Sequence, residues 1–193
     1  LNNWAGVPGQ QWKLCYSKST HGGNSTTFHN NCNNKGETYT VVKSTYGKLY
    51  GGYFGQSWRS INNYVFDANS FLFSLTGNTK HPIWRQQYAV YDTDSYGPTF
   101  GGGHDLYIDG GMNYGNTYFG WTYECPWCNQ CVNGTCQNYL AGSYSGNYIQ
   151  DVEVFYKDGK GGFGADVWMD LDIDLTEFLG KELQFELYFQ TVD

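Results

Sequence analysis

The chain has 193 residues, a net charge of −7 and only 15% charged residues. That length supports one good hydrophobic core, so a single domain with an extension is expected. The acidic balance leaves no basic patch for nucleic acid or an anionic membrane surface, and no apolar run reaches the length of a membrane-spanning helix.

Aromatic residues make up 19% of the chain and glycines number 26, which fits an all-β protein with many turns. Residues 1–10 hold Pro8 and Gly9 with little periodicity and read as an N-terminal arm. The start at Leu1, without Met, reads as removal of a secretory signal. Residues 11–17 predict a strand with Trp12, Leu14 and Tyr16 on one face. A polar loop over 19–35 follows, with a short helical turn around 26–32. Cys15 and Cys32 read as a bridge closing this loop, stabilising by a few kcal/mol, against the alternative of two separate buried thiols.

Residues 38–43 and 48–54 predict a β-hairpin turned by Tyr46-Gly47. Gly51-Gly52 marks a bulge or a close backbone approach. Residues 71–75 predict a buried central strand, and Ala89-Val90-Tyr91 a further one. Residues 97–108 then run from a Pro turn through Gly101, Gly102 and Gly103 to His104, Asp105 and a strand bearing Leu106 and Ile108 on one face. Three consecutive glycines fit where backbone approaches a neighbour closely or takes positive φ. They form no dinucleotide-binding fingerprint, because no helical pattern follows.

His104 beside Asp105 invites a catalytic reading. No Gly-x-Ser-x-Gly elbow supplies a nucleophile, and neighbours on a strand point to opposite faces, so the two form no dyad with each other. No catalytic residue is assigned, and the expectation is a non-enzyme. Asp92, Asp94, Asp105 and Asp109 are candidate calcium ligands, but their spacing matches no EF-hand, and solvated loop carboxylates are the preferred reading. Apart from this calcium candidate, no cofactor is expected.

Residues 110–116 read as a loop and 117–123 as a strand. Cys125, Cys128, Cys131 and Cys136 then cluster in a Cys-rich loop, 124–137. Zinc thiolate ligation is one reading. Two disulfides are the better one, with the pairing open among three possibilities. Asn24 and Asn133 each begin a glycosylation sequon. Together the cysteines and sequons favour an oxidising, extracellular setting.

Residues 147–156 predict the last strand of the domain, with Val152, Val154 and Tyr156 on one face. A glycine-rich linker leads to two period-two strands. Val167, Met169, Leu171, Ile173 and Leu175 share a face of the first, with Asp170, Asp172 and Asp174 opposite as either a solvated face or a metal site. Leu183, Phe185, Leu187 and Phe189 align in the second. Burying each apolar side chain is worth about 1.5–3 kcal/mol, so these strands must pack, either on their own domain or on another subunit.

Several segments resemble the TLDc domain family, most of all its protist members. They are the stretch at 97–108, Trp12-Lys13-Leu14-Cys15-Tyr16-Ser17, His21-Gly22, Phe28-His29, Tyr50-Gly51-Gly52-Tyr53, Ser57-Trp58, Phe71-Leu72-Phe73-Ser74-Leu75 and Asp151-Val152-Glu153-Val154-Phe155. The resemblance implies an antiparallel β-sandwich with a few short helices and no established catalytic centre. It implies roles inside the cell, in oxidation resistance and in binding the vacuolar proton pump. It gives Gly101, Gly102, Gly103, His104 and Asp105 a structural reading. The Cys-rich loop lies outside the family pattern.

The expected organisation is an arm (1–10), a TLDc-like domain (11–158), and a linker with two strands (159–193). The leading functional expectation is a secreted, non-enzymatic structural subunit, self-associating into a filament through its C-terminal strands. A secreted glycan- or protein-binding module is the alternative. The third reading is the family's intracellular role in oxidation resistance or proton-pump regulation.

Overall fold

The structure is a computed structural model and describes residues 1–125, 137–142 and 147–159. A short helix, α1 (Asn2–Ala5), precedes strand β1 (Trp12–Ser17), and helices α2 (Lys18–His21) and α3 (Ser25–Cys32) follow. Next come β2 (Thr38–Ser44), β3 (Leu49–Phe54), β4 (Asn63–Val65), β5 (Phe71–Ser74) and β6 (Thr79–Pro82). A 3-10 turn (Gln86–Tyr88) leads to β7 (Val90–Asp92), β8 (Tyr107–Ile108), β9 (Tyr114–Asn116), α4 (Gln137–Ala141) and β10 (Asn147–Lys157).

The protein is mainly β, and the strand pairs are antiparallel, as expected. The large sheet runs β6-β5-β3-β2-β10-β9-β8, with β1 also on β10, and β4 and β7 make a separate ribbon. The long strand β10 joins the parts. It pairs with β2 over most of its length, with β1 near its C-terminal end and with β9 at Asn147 and Tyr148.

The sheet buries side chains on both faces. Val42, Tyr50, Leu72, Val152 and Val154 belong to the larger cluster, together with Phe28, Trp58, Phe100 and Leu106. Tyr39, Val41, Tyr53, Phe71 and Phe73 form a second cluster on the other face. The first ten residues close that second face: Leu1, Trp4, Ala5 and Val7 pack against it. Trp12 Nε1 donates to Asn2 Oδ1 at 2.6 Å and Tyr39 donates to the Leu1 carbonyl at 2.9 Å, which ties the arm down.

Three local features differ from simple alternation. Trp12 and Tyr16 do not share a face. The β1–β10 register shifts between Leu14 and Tyr16, so Trp12 joins the second cluster while Cys15 and Tyr16 enter the first. One extra residue reverses the alternation beyond it. Gly51 and Gly52 sit in an unbroken register opposite Val41 and Thr40, so they mark close packing and not a bulge. A Cβ on Gly52 would come within 2.6 Å of the Phe100 ring, which seats the glycine-rich stretch on the sheet. Finally, the strand expected at 117–123 is a loop, and the pairing strand is β9, just before it.

Cys15 and Cys32 are joined by a disulfide, with Cα atoms 5.3 Å apart, linking β1 to the end of α3. Cys128, Cys131, Cys136 and Asn133 lie outside the described residues. So do the expected C-terminal strands and Asp170, Asp172 and Asp174.

Candidate functional site: a seated tryptophan surface

The loop at 117–123 is fixed by one buried carboxylate. Asp105 Oδ1 accepts from the backbone N–H groups of Gly120, Trp121, Thr122 and Tyr123 at 2.9, 2.9, 3.0 and 3.2 Å. Four consecutive donors aimed at one anion take the place of strand pairing, which is why this segment is not a strand. Burial pushes the Asp105 carboxyl up from its ordinary value, and the N–H donors pull the other way. Tyr123, fully buried, donates to the Ala89 carbonyl at 2.6 Å and anchors the far end of the loop.

Thr122 stitches three segments together. Its hydroxyl accepts from the Gly102 N–H at 2.8 Å. Its carbonyl accepts from the N–H groups of Trp84 and Arg85 at 3.1 and 3.3 Å. The glycines clear the space this needs. Gly101 has φ +88°, and a Cβ there would lie 2.1 Å from Asp105 Oδ2. A Cβ on Gly102 would lie 2.3 Å from Trp121 Cζ3. The glycine run thus lets the carboxylate in beneath the loop and lets the Trp121 ring lie against backbone.

The construction carries an exposed side chain. Trp121 is 41% exposed and Trp84 55% exposed. The guanidinium carbon of Arg85 lies 4.1 Å from the Trp121 ring centre and 4.5 Å from that of Trp84. Tyr88 packs on the other neighbour side of Trp121, at 5.4 Å between ring centres. The row continues through Tyr64, whose hydroxyl donates to the Gly102 carbonyl at 3.1 Å, to Tyr91.

His104 and Asp105 are not brought together as a catalytic pair. His104 has φ +59° and its ring stacks on Tyr107 at 5.2 Å, next to Tyr96. Burial lowers its pKa. The candidate calcium ligands do not converge either. Asp92 accepts from the N–H groups of Arg59 and Ser60, and Asp109 from those of Asn113 and Tyr114. Asp94 is exposed and accepts from the Ser95 hydroxyl. Among the described residues no three His, Cys, Asp or Glu side chains are placed to hold a metal ion.

Asn24 is the N-cap of α3, where its side-chain oxygen accepts from the N–H groups of Thr26 and Thr27 at 2.8 and 3.4 Å. The Asn-Ser-Thr sequence is thereby a helix start. Sequence reasoning gave Asp105 a structural part but did not single out Trp84, Arg85 or Trp121. The signal available was the pair Trp84-Arg85 directly before a turn, which suggests an exposed aromatic beside a cation.

The profile of the TLDc domain family matches residues 4–157. The chain belongs to the TLDc domain family. This TLDc chain is similar to the MTOR-associated protein MEAK7 of Danio rerio, at 29% identity over 118 residues, 55% of the chain and 26% of that protein. MEAK7 of Gallus gallus is 27% identical over 119 residues, 55% of the chain and 25% of that protein. Nuclear receptor coactivator 7 of Gallus gallus is 25% identical over 156 residues, 78% of the chain and 16% of that protein. The chain therefore spans about a quarter or less of the length of these relatives.

These findings overturn the expectation of a secreted structural subunit forming extracellular filaments. The relatives are named for association with mTOR and for coactivation of nuclear receptors, partners found inside the cell, and TLDc proteins are generally non-catalytic regulators. Nothing in the family or in these relatives indicates a filament subunit. The Cys15–Cys32 bridge expected from the sequence is present and joins α3 to β1.

Proposed function

We propose that this TLDc chain is a regulatory domain of the intracellular type, which works by binding a protein partner and carries no chemistry of its own. The observation that carries the reading is the seat of Trp121. The buried Asp105 carboxylate, the glycine run and Thr122 all hold one exposed indole in place. Rigid exposed tryptophans are the residues that dominate protein–protein affinity. The partner suggested by the family resemblance is the vacuolar proton pump.

Co-sedimentation of the full chain with purified pump, with ATP hydrolysis measured in parallel, tests this. Comigration together with altered hydrolysis is the expected result. Neither effect at micromolar concentrations of both components would sink the pump reading. A second reading, association with an mTOR-containing complex, is supported by the relatives named for it. Co-precipitation of the chain with that complex tests it.

A further inference from the structure

The contacts of Arg85 give the tryptophan surface a chemical preference. Its side chain packs over two exposed indoles and takes part in neither of the ion pairs formed by Lys13 with Asp158 and Lys157 with Glu37. Among the described residues no carboxylate engages its guanidinium, although Glu124 lies only three residues beyond Trp121 in sequence. Ring faces leave the guanidinium fork without an oxygen acceptor, and that fork matches a carboxylate in two-point geometry. The indoles beside it lower the local exposure to water, which strengthens such a pair. An apolar side chain of the same ligand has Trp84 and Trp121 to pack on.

We propose that Trp84, Arg85 and Trp121 form a docking site for an acidic segment of a protein partner, with a carboxylate on Arg85 and an adjacent apolar side chain across the indoles. This rests on the reading of the chain as a protein-binding domain and names the chemistry of its partner. The charge pattern favours this occupant over a basic one. At Arg85 a basic segment would meet a like charge, whereas a carboxylate meets its opposite.

The test uses the full chain labelled with nitrogen-15 and the synthetic peptide acetyl-Glu-Leu-Glu-Asp-Phe-Glu-amide. Its counterpart carries Gln and Asn in place of Glu and Asp. The acidic peptide is expected to shift the indole N–H signals of Trp84 and Trp121 with a Kd of about 0.1–1 mM. Those of Trp12 and Trp58 stay put, since their N–H groups are engaged by Asn2 and Thr38. The amide peptide should bind roughly tenfold more weakly, the expected loss for a charge-assisted hydrogen-bonded pair. Arg85→Gln should cause a similar loss, and raised salt should weaken the acidic peptide alone.

Equal binding of the two peptides, shifts confined to other indoles, or no shift at a few millimolar peptide would each overturn the proposal. The wild-type measurements stand even if Arg85→Gln fails to fold. Unchanged pump binding by a folded Arg85→Gln chain would remove this docking site and leave the proposed function intact. A chain that takes the peptide but not the pump would remove the pump and leave the site.

Discussion

Asp105 holds Trp121 through the backbone: its Oδ1 accepts the Trp121 N–H at 2.9 Å while the indole itself stays exposed. The same oxygen serves the residues on both sides, so one charge fixes the loop that presents the ring. In Asp105→Asn one carboxylate oxygen becomes an NH2 group, and the negative charge that the donors converge on is lost. The expected cost is about 2–4 kcal/mol, because four N–H groups lose the charge on their shared acceptor and the new NH2 group faces the Thr122 N–H. Urea denaturation reads the loss. Near-ultraviolet circular dichroism should show the Trp121 environment loosening before global unfolding.

His81 should make stability fall in mild acid. It is buried, its Nδ1 lies 3.1 Å from the Glu124 carbonyl and its Nε2 lies 2.9 Å from the Thr79 hydroxyl. Burial lowers its pKa from 6.5 to about 4. The unfolded chain therefore takes up a proton at a pH where the folded chain does not. The stability is fully present above pH 6.5 and is lost as pH falls from there to about 4, by on the order of 2–3 kcal/mol. His104, also lowered, adds in the same direction. Denaturation curves across this window should be steeper in pH for the native chain than for His81→Gln, and parallel slopes would contradict the assignment.

Thr40 offers a stabilising change. Its hydroxyl is buried on β2 with no hydrogen-bond partner among the described residues, next to the site where Phe100 packs on Gly52. Thr40→Val keeps the shape and the strand propensity and replaces the orphan hydroxyl with a methyl group. The midpoint of thermal unfolding should rise, with a gain of about 1 kcal/mol. A fall would mean that the hydroxyl is satisfied in solution.

The strands were legible because their periodicity is local. The hairpin of β2 and β3, the buried run of β5 and the alternation of β10 all came from neighbours in sequence. What was not legible depends on distant partners. The loop at 117–123 looked like a strand because its aromatic residues favour one, yet its donors go to a carboxylate some fifteen residues earlier. The faces of Trp12 and Tyr16 were separated by a register shift that only the pairing with β10 reveals. The glycine run could be read as making room, but not for what. Trp121 fills that space from another loop, and exposure of a tryptophan leaves no periodic mark in sequence.

The bridge between Cys15 and Cys32 is the remaining expectation, and it concerns the loop that carries α3. The two sulfurs close 17 residues of chain, and both cysteines are buried in the main cluster beside Tyr16 and Phe28. Cross-linking a loop of this size restricts the unfolded ensemble by about 3 kcal/mol. Reduction should therefore lower stability by about 2–4 kcal/mol without dismantling the sheet, because β1 keeps its pairing with β10. Thermal unfolding with and without reductant reads the difference, and Cys32→Ala checks it without redox chemistry. Hydrogen exchange should show the first changes in α3, whose backbone is joined to the sheet by this bridge and by the packing of Phe28 on Tyr16 and Trp58. Exchange that instead rises first in β2 or β10 would mean that the bridge supports the sheet itself.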